Sequence, residues 1–232
     1  MSKGAGKEEC AECLDKTGCF DKLTEKELQL VSDSKLKIKF NKGEIVRKQG
    51  SFVSSVLFLK QGYMKVYKEF DGSEQSSIIH FYKPGDLIGL TDIFGESSVK
   101  FSVAAITDCQ VCCINIRLFE KMLVENGKFA ADVIKSINSF TGELFDYQLQ
   151  NSHKQLHGRI AKAFLVLADH VFMSDTFGVY LSRNDIAEFT NMSSMSVVRI
   201  LKDFKDEKVI EDKNGFIKIL NREKLEKIRK LG

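Results

Sequence analysis

The chain has 232 residues, of which 43% are hydrophobic and 29% are charged. This composition is typical of a globular protein with one large or two modest domains, and it excludes disordered and fibrous proteins. No stretch of the sequence approaches the roughly 18 to 20 uninterrupted apolar residues that a membrane span needs, and no apolar run of a secretory signal follows the N-terminal MSKGAGKEEC. We therefore expect a cytoplasmic protein with no membrane partner.

The net charge of +3 is unevenly distributed along the chain. Residues 151–232 hold 15 Lys and Arg against 11 Asp and Glu, whereas residues 1–150 hold 20 against 21. A small basic module at the C-terminal end points to a nucleic-acid backbone as a partner.

Six cysteines are many for a cytoplasmic chain of this length, because a reducing compartment disfavours structural disulfides. Cys10, Cys13 and Cys19 are spaced C-x2-C-x5-C near the N-terminus. Cys109, Cys112 and Cys113 lie together in a predicted strand. Their number makes metal, cluster or redox chemistry the first functional question.

The first predicted helix runs from Thr24 to Ser34, since Thr24 followed by Glu27 is a capping-box signature. Residues 35–116 then read as short strands, in which Leu36, Ile38 and Phe40 alternate with lysines. Glycine-containing turn signals recur between these strands. The pattern predicts an antiparallel barrel or sandwich.

Residues 117–172 read as helix, with one long helix from Phe129 to about Leu156. Apolar and small polar side chains recur along it at nearly heptad spacing, which is typical of a helix that pairs with a second helix. This stripe is too long to be buried against one small barrel, so we expect a parallel homodimer; packing on its own barrel alone is the alternative. The predicted dimer residues are Ile134, Ile137, Thr141, Leu144 and Gln148.

The last part of the chain, residues 159–232, predicts a helix-turn-helix followed by a hairpin wing. Ser182 is suited to capping a first helix, Asn191 to the left-handed position of a tight turn, and Ser193 to capping a second helix. Asn214-Gly215 between two apolar runs predicts the hairpin.

The second helix would bury Val197, Leu201 and Phe204 and present its other face to the DNA major groove. Arg199 lies one turn beyond Met195 and is suited to bidentate pairing with guanine, whereas Arg183 and Lys202 are suited to phosphate contacts. The alternative is a packed three-helix domain with a solvated basic face. The candidate DNA-binding residues are Arg183, Ser193, Ser194, Met195, Ser196, Arg199 and Lys202.

Nearly the whole chain resembles the cAMP receptor protein / fumarate–nitrate regulator (CRP/FNR) family. The segment from Phe40-Asn-Lys-Gly-Glu to Lys83-Pro-Gly-Asp-Leu-Ile-Gly89 is similar to that family's cyclic-nucleotide-binding-type roll, and Leu181 to Ile210 is similar to its helix-turn-helix. The resemblance implies an α+β fold and a homodimeric transcription regulator that binds a palindromic operator and works with RNA polymerase. The implied domains are an N-terminal segment with a helix (1–34), a sensory β-roll (35–127), a dimerisation helix (128–157) and a winged helix-turn-helix (158–232).

Two departures from the family pattern bear on function. Where a cyclic-nucleotide sensor has Gly-Glu-Leu, this chain has Gly89-Leu90-Thr91, and its next ligand-binding region contains Lys100 but no arginine. A buried phosphate would lack its guanidinium partner, so we do not expect cAMP to bind. In the recognition helix, Met195 stands where many relatives have Glu, so the operator should differ there, for example by an apolar contact to a thymine methyl.

The cysteines resemble those of the fumarate–nitrate type of regulator, which holds an oxygen-labile [4Fe-4S] cluster. The resemblance implies Cys10, Cys13, Cys19 and Cys112 as its ligands. Thiolates suit such clusters because both are soft. The alternatives are zinc or thiol redox chemistry, and cysteines that bind no cofactor.

The sequence contains no Ser/His/Asp arrangement and no Walker loop, and His80, His153, His157 and His170 are scattered, so we do not expect an enzyme. Two alternatives to a redox-sensing regulator remain. One is a regulator that senses another small molecule in its β-roll without a metal. The other is a ligand-binding or redox module that does not bind DNA.

Overall fold

The computed structural model describes residues 20–70, 76–95, 98–153, 155–178, 181–213 and 216–231, with backbone only for 146–153. Its helices are α1 (Glu25–Ser34), α2 (Ile116–Glu125), α3 (Gly127–His153), α4 (Leu156–Val166), α5 (Arg183–Thr190), α6 (Ser194–Asp206) and α7 (Arg222–Leu231). Short 3-10 turns occupy Phe20–Lys22 and Leu90–Asp92, and a π turn occupies Leu167–Val171.

The strands are β1 (Leu36–Phe40), β2 (Ile45–Arg47), β3 (Ser55–Gln61), β4 (Met64–Glu69), β5 (Ser76–Tyr82), β6 (Leu87–Ile88), β7 (Ser102–Ala105), β8 (Cys109–Asn115), β9 (Thr176–Gly178), β10 (Ile210–Lys213) and β11 (Phe216–Ile219).

The first eight strands form two four-stranded antiparallel sheets, ordered β1-β8-β3-β6 and β2-β7-β4-β5. Apolar side chains of both sheets, among them Leu59, Val66 and Val111, pack into one core cluster between them. A tight turn at Gly62 leads from β3 to β4 in the other sheet: its φ is +89°, and a Cβ there would overlap the backbone of Asp108. The α+β class and the antiparallel roll expected from the sequence are thus confirmed.

The N-terminal helix α1 begins as its sequence predicts. The Thr24 side chain accepts a hydrogen bond from the Glu27 backbone, and the Glu27 carboxylate accepts one from the Thr24 N–H at 2.7 Å. Before α1, Phe20 is fully buried in a second core cluster, edge-on to Phe58 of β3. This packing attaches the N-terminal end of the described chain to the outer face of the β1-β8-β3-β6 sheet.

The long helix differs from its predicted bounds. It begins at Gly127, where the Asn126 side chain accepts a hydrogen bond from the Phe129 N–H at 3.0 Å, and it ends at His153. The expected continuation to Leu156 is wrong because Leu156 starts α4, whose N-cap is Gln155 in an extended conformation. The predicted domain boundary at residue 157 therefore lies inside α4.

The C-terminal part consists of α4 to α7 and a three-stranded sheet ordered β10-β11-β9. Ile210–Lys213 pairs antiparallel with Phe216–Ile219, which confirms the two strands of the predicted hairpin; its predicted turn, Asn214-Gly215, lies outside the described residues. The third strand, β9, was not predicted, because Thr176–Gly178 is too short to show a pattern. Ile186, Phe204 and Leu225 share one core cluster with α4.

The C-terminal part also packs directly on the β-roll of the same chain. The Lys65 Nζ of β4 lies 2.5 Å from the Asp185 carboxylate of α5, and Ser77 of β5 donates a hydrogen bond to the Asn191 side chain at 2.8 Å. We call these two contacts the clasp. None of the helices among the described residues is long and apolar enough to cross a membrane.

Candidate nucleic-acid interface

The predicted helix-turn-helix forms with each of its expected caps. Ser182 caps α5 in a capping box with Asp185, and Ser193 caps α6 by accepting a hydrogen bond from the Ser196 N–H at 3.2 Å. Between the helices, Asn191 has φ 52° and ψ 51°, the left-handed conformation that the tight turn requires. These local contacts fix the start of α6 relative to the end of α5.

One face of α6 is buried and the other is open. Val197, Ile200, Leu201 and Phe204 are buried in the domain core. On the opposite side the Met195 side chain is 84% exposed and Val198 is 54% exposed.

Arg199 and Lys202 are also exposed, and neither has a hydrogen-bond or ion-pair partner among the described residues. Met195, Val198, Arg199 and Lys202 follow the spacing i, i+3, i+4 and i+7, which places them on one face of the helix. We call this set the reading stripe.

The three serines at the start of α6 are engaged within the protein. The Ser194 hydroxyl donates to the Asn184 side chain at 2.6 Å, which links α6 to α5. The Ser193 hydroxyl donates to that of Ser196 at 3.0 Å while it caps the helix. Ser193 and Ser194 therefore stabilise the start of the helix, and Ser196 accepts the hydrogen bond from Ser193.

Arg183, a predicted phosphate contact, is paired with a carboxylate within the protein. Its guanidinium lies 2.5 Å from the Asp212 carboxylate of β10, so it joins the start of α5 to the wing. The side chain remains partly exposed, but its charge is partly compensated. Among the predicted basic residues, Arg199 and Lys202 are thus the more available to DNA.

Comparisons with known proteins agree with this architecture. The cyclic nucleotide-binding domain family matches residues 37–126, and the Crp-like helix-turn-helix domain family matches residues 158–228. The electron transport regulator A of Shewanella oneidensis is 26% identical over 223 residues, which cover 93% of this chain and 88% of the relative. The fumarate and nitrate reduction regulatory protein of Vibrio cholerae is 27% identical, with the same two coverages.

The structure of FixK2 from Bradyrhizobium japonicum aligns with a TM-score of 0.76 at 19% identity, over 84% of this chain and 96% of that one. The chain belongs to the CRP/FNR family. It is a DNA-binding transcription regulator of the CRP/FNR type, with a cyclic-nucleotide-binding-like roll and a Crp-like helix-turn-helix.

The candidate sensor residues of this regulator are its cysteines. Cys10, Cys13 and Cys19 lie outside the described residues. In β8, Cys112 is buried in the cluster that contains Phe20, the residue after Cys19. Within the described part of the chain no three His, Cys, Asp or Glu side chains come together as a metal site, so a cluster would need the N-terminal cysteines.

The other two roll cysteines face away from the N-terminal segment. Because side chains alternate along a strand, Cys109 and Cys113 point into the core between the sheets, opposite to Cys112. Burial raises the pKa of both thiols; at Cys113 the nearby Arg47 opposes that rise. Cys109 is buried and Cys113 is half-buried in the roll core, where both pack as small hydrophobic groups.

The region that would hold a cyclic nucleotide in a CRP/FNR sensor contains a buried ion pair instead. Arg47 of β2 lies 3.3 Å from Asp92, and both side chains are almost fully buried. Burial raises the pKa of Asp92 and Arg47 opposes it. A Cβ at Gly89 would overlap the Arg47 guanidinium, so this glycine permits the arginine to lie across the start of the Leu90–Asp92 turn.

A cavity of about 600 Å³ lies between β5, α3 and α4. His80, Tyr82 and Phe140 line one side with aromatic rings in contact, and Lys83 and Lys162 lie nearby. Burial, together with the Lys83 charge, lowers the pKa of His80 to about 4, although the exposed Glu143 carboxylate lies 3.6 Å from its Nδ1. His80 is therefore neutral near pH 7.

Several of these partners were not identified from the sequence. Asn184, Asp212, Arg47 and Lys65 each contact a functional element from a distant position in the chain. No local pattern marks such residues, because their role depends on the fold rather than on their neighbours.

Proposed function

We propose that the regulator binds palindromic duplex DNA as a homodimer, with one α6 helix in each half-site. The observation that carries this proposal is the open reading stripe of α6, in a chain whose long helix α3 also exposes apolar side chains. On α3, Ile134 is 56% exposed and Phe145 is 62% exposed. A second copy of the chain would bury these groups about a two-fold axis, and such an axis matches a palindromic operator.

The predicted dimer seam has further support. Ile137, Thr141 and Leu144 are only half-buried in the single chain, and Ile137 also packs against the second core cluster, which contains Phe20. Gln148 lies on the same helix, in the stretch of which only the backbone is described. We also propose RNA polymerase as a partner, because a DNA-bound regulator acts by contacting or excluding it.

Dimerisation is tested by sedimentation of the full chain alongside an Ile134→Glu variant. We expect a dimer for the natural sequence and a shift to monomer for the variant, since a buried unpaired carboxylate is costly at an interface. Ile38→Glu on β1 is a matched control at another exposed apolar position. A natural chain that is monomeric at all concentrations would contradict the proposal.

We infer that the regulator senses oxygen or redox state through a [4Fe-4S] cluster held by Cys10, Cys13, Cys19 and Cys112. When bound, such a cluster supplies an oxygen-labile centre that four thiolates hold. The support from this chain is the position of Cys112, the roll cysteine that faces the packed N-terminal residues. Phe20, the residue after Cys19, and Leu23 are buried beside it, so the described chain begins at this face of the sheet.

The test is anaerobic purification followed by iron and sulfide analysis. We expect brown protein with about four iron and four sulfide per chain, and bleaching in air. Cys112→Ala should lose the colour, whereas the matched control Cys113→Ala should keep it, because its side chain faces the other core. Colourless anaerobic protein that lacks iron and sulfide would contradict the cluster; zinc in its place would support the structural-metal alternative.

We also propose that the roll does not respond to cAMP. The guanidinium nearest the region is that of Arg47, and it is already paired with Asp92. Adding cAMP at millimolar concentration should leave the melting temperature and the DNA affinity unchanged. A cAMP-dependent rise in either would overturn this proposal.

The cavity between β5, α3 and α4 favours a second candidate function, small-molecule sensing without a metal. Its volume of about 600 Å³ falls within the range of small-ligand sites, and it touches both the roll and the helix that leads to the DNA-binding domain. Native mass spectrometry of the purified chain tests this candidate. A bound small molecule that is lost on His80→Trp would support it, and unliganded protein whose DNA affinity is set by air alone would contradict it.

A further inference from the structure

The chemistry of the reading stripe restricts which bases the recognition helix can identify. From Ser194 to Lys202 the helix has no Asp, Glu, Asn or Gln. Those side chains are the usual partners of the amino groups of cytosine and adenine in the major groove. The Ser193 and Ser194 hydroxyl protons are used within the protein, on Ser196 and Asn184, and the reading stripe itself contains no hydroxyl.

What the stripe does present is one guanidinium beside two apolar groups, with the Lys202 ammonium three residues further along the helix. Met195 offers an exposed thioether and Val198 an exposed isopropyl group, and both adjoin Arg199 on the same face. The group that an apolar side chain meets in the major groove is the 5-methyl of thymine. Arg199 is suited to the two acceptors of guanine.

We propose that this regulator reads each half-site as one guanine flanked by thymines, with Arg199 on the guanine and Met195 and Val198 on thymine 5-methyl groups. This inference rests on the proposed binding of DNA through α6 and adds the chemical identity of the bases. Met195 and Arg199 are about 6 Å apart along the helix axis, so the methyl contacts lie within about two base pairs of the guanine.

The first experiment selects tight-binding duplexes from a random pool with the full chain. We expect a palindrome whose half-sites contain guanine with thymines within about two base pairs. Each such thymine is then replaced by deoxyuridine, which removes only the 5-methyl group. Loss of a methyl contact should weaken binding about four-fold, from about 0.8 kcal/mol per buried methyl-sized group.

Two variants assign the contacts. Met195→Ala should make one thymine position insensitive to deoxyuridine, and Val198→Ala should do the same at another position. Both side chains are exposed, so neither change disturbs the core. The matched control is Lys202→Ala, which should weaken all duplexes alike and leave the deoxyuridine ratio at about four, because a phosphate contact carries no base information.

The outcomes separate this inference from the function on which it rests. In one outcome, the selected palindrome tolerates deoxyuridine at every thymine, and Arg199→Ala abolishes binding. This result would overturn the methyl contacts and leave DNA binding through α6 intact. Failure to select any sequence would overturn the proposed operator binding itself. A deoxyuridine effect that persists unchanged in both Met195→Ala and Val198→Ala would also overturn the inference.

Discussion

At the scale of single residues, Asn191 shows how one side chain serves both the turn and the clasp. Its backbone is left-handed, with φ 52°, and its side chain accepts the hydrogen bond from Ser77 of the roll. Asn191→Ala should lower the free energy of unfolding by about 1–2 kcal/mol, because alanine pays the full steric cost of this conformation. Urea unfolding measures the change.

Two control variants separate the backbone contribution of Asn191 from that of its side-chain hydrogen bond. Asn191→Gly keeps the left-handed backbone and loses only the side-chain hydrogen bond, so its cost should be smaller and close to that of Ser77→Ala. Equal costs for alanine and glycine would show that the backbone conformation contributes nothing.

His80 gives a prediction about pH at the same scale. Its pKa falls from the ordinary 6.5 to about 4 on burial, so the unfolded chain binds a proton at a higher pH than the folded one. Stability should therefore decrease as pH falls from about 6.5 to 4. In His80→Gln this part of the pH dependence should disappear, as measured by melting temperature across that window. An unchanged pH profile would mean that His80 titrates normally in the folded protein.

At the scale of elements, α6 depends on its N-cap. Ser193→Ala removes the acceptor of the Ser196 N–H and should cost about 1 kcal/mol of stability, whereas Ser193→Asp should restore most of it. Ser196→Ala is the matched control, since it removes a neighbouring hydroxyl and leaves the capped backbone N–H in place. Chemical unfolding monitored by circular dichroism compares the free energies of unfolding of the three variants. If Ser196→Ala lowers that free energy as much as Ser193→Ala does, the capping role is contradicted.

Elements were predicted from the sequence where their determinants are local. The caps at Thr24, Ser182 and Ser193 lie three residues from the groups that they bind, so the sequence pattern contains the whole interaction. The end of α3 was misplaced because the apolar spacing continues through Leu156 although the helix does not.

At the candidate DNA-binding site, too, the features with local determinants could be predicted and the contacts between distant residues could not. The open and buried faces of α6 follow from helical spacing alone, whereas the Arg183–Asp212 pair joins residues 29 apart. The attachment of Ser194 to Asn184 and of Asp185 to Lys65 likewise requires the folded chain. Such contacts determine which side chains remain available for DNA, and no local pattern encodes them.

At the scale of the whole molecule, the clasp joins the roll to the first helix of the DNA-binding domain. Burial alone would raise the pKa of Asp185, but the hydrogen bonds from Lys65 and Ser182 outweigh it and lower that pKa. The contribution of this pair is therefore present above the unfolded-state pKa of about 4 and is lost as pH falls below it.

A double-mutant cycle of Lys65→Met and Asp185→Asn tests the clasp. The coupling free energy at pH 7 should be about 2 kcal/mol, since both side chains are mostly buried, and it should shrink as pH falls below about 4. Ser182→Ala separates the capping role of Asp185 from its pairing with Lys65. No coupling at pH 7 would show that the roll and α5 are energetically independent.

The central claim is that a dimer binds palindromic DNA sequence-specifically through α6. The most direct test titrates the full chain against its selected operator over a range of salt concentrations. The titration is done before and after exposure to air. We predict two chains per operator, affinity at least about 10³-fold above that for a scrambled duplex in one redox state, and a steep linear fall of log affinity with log salt. Equal affinity for operator and scrambled duplex in both redox states would contradict it.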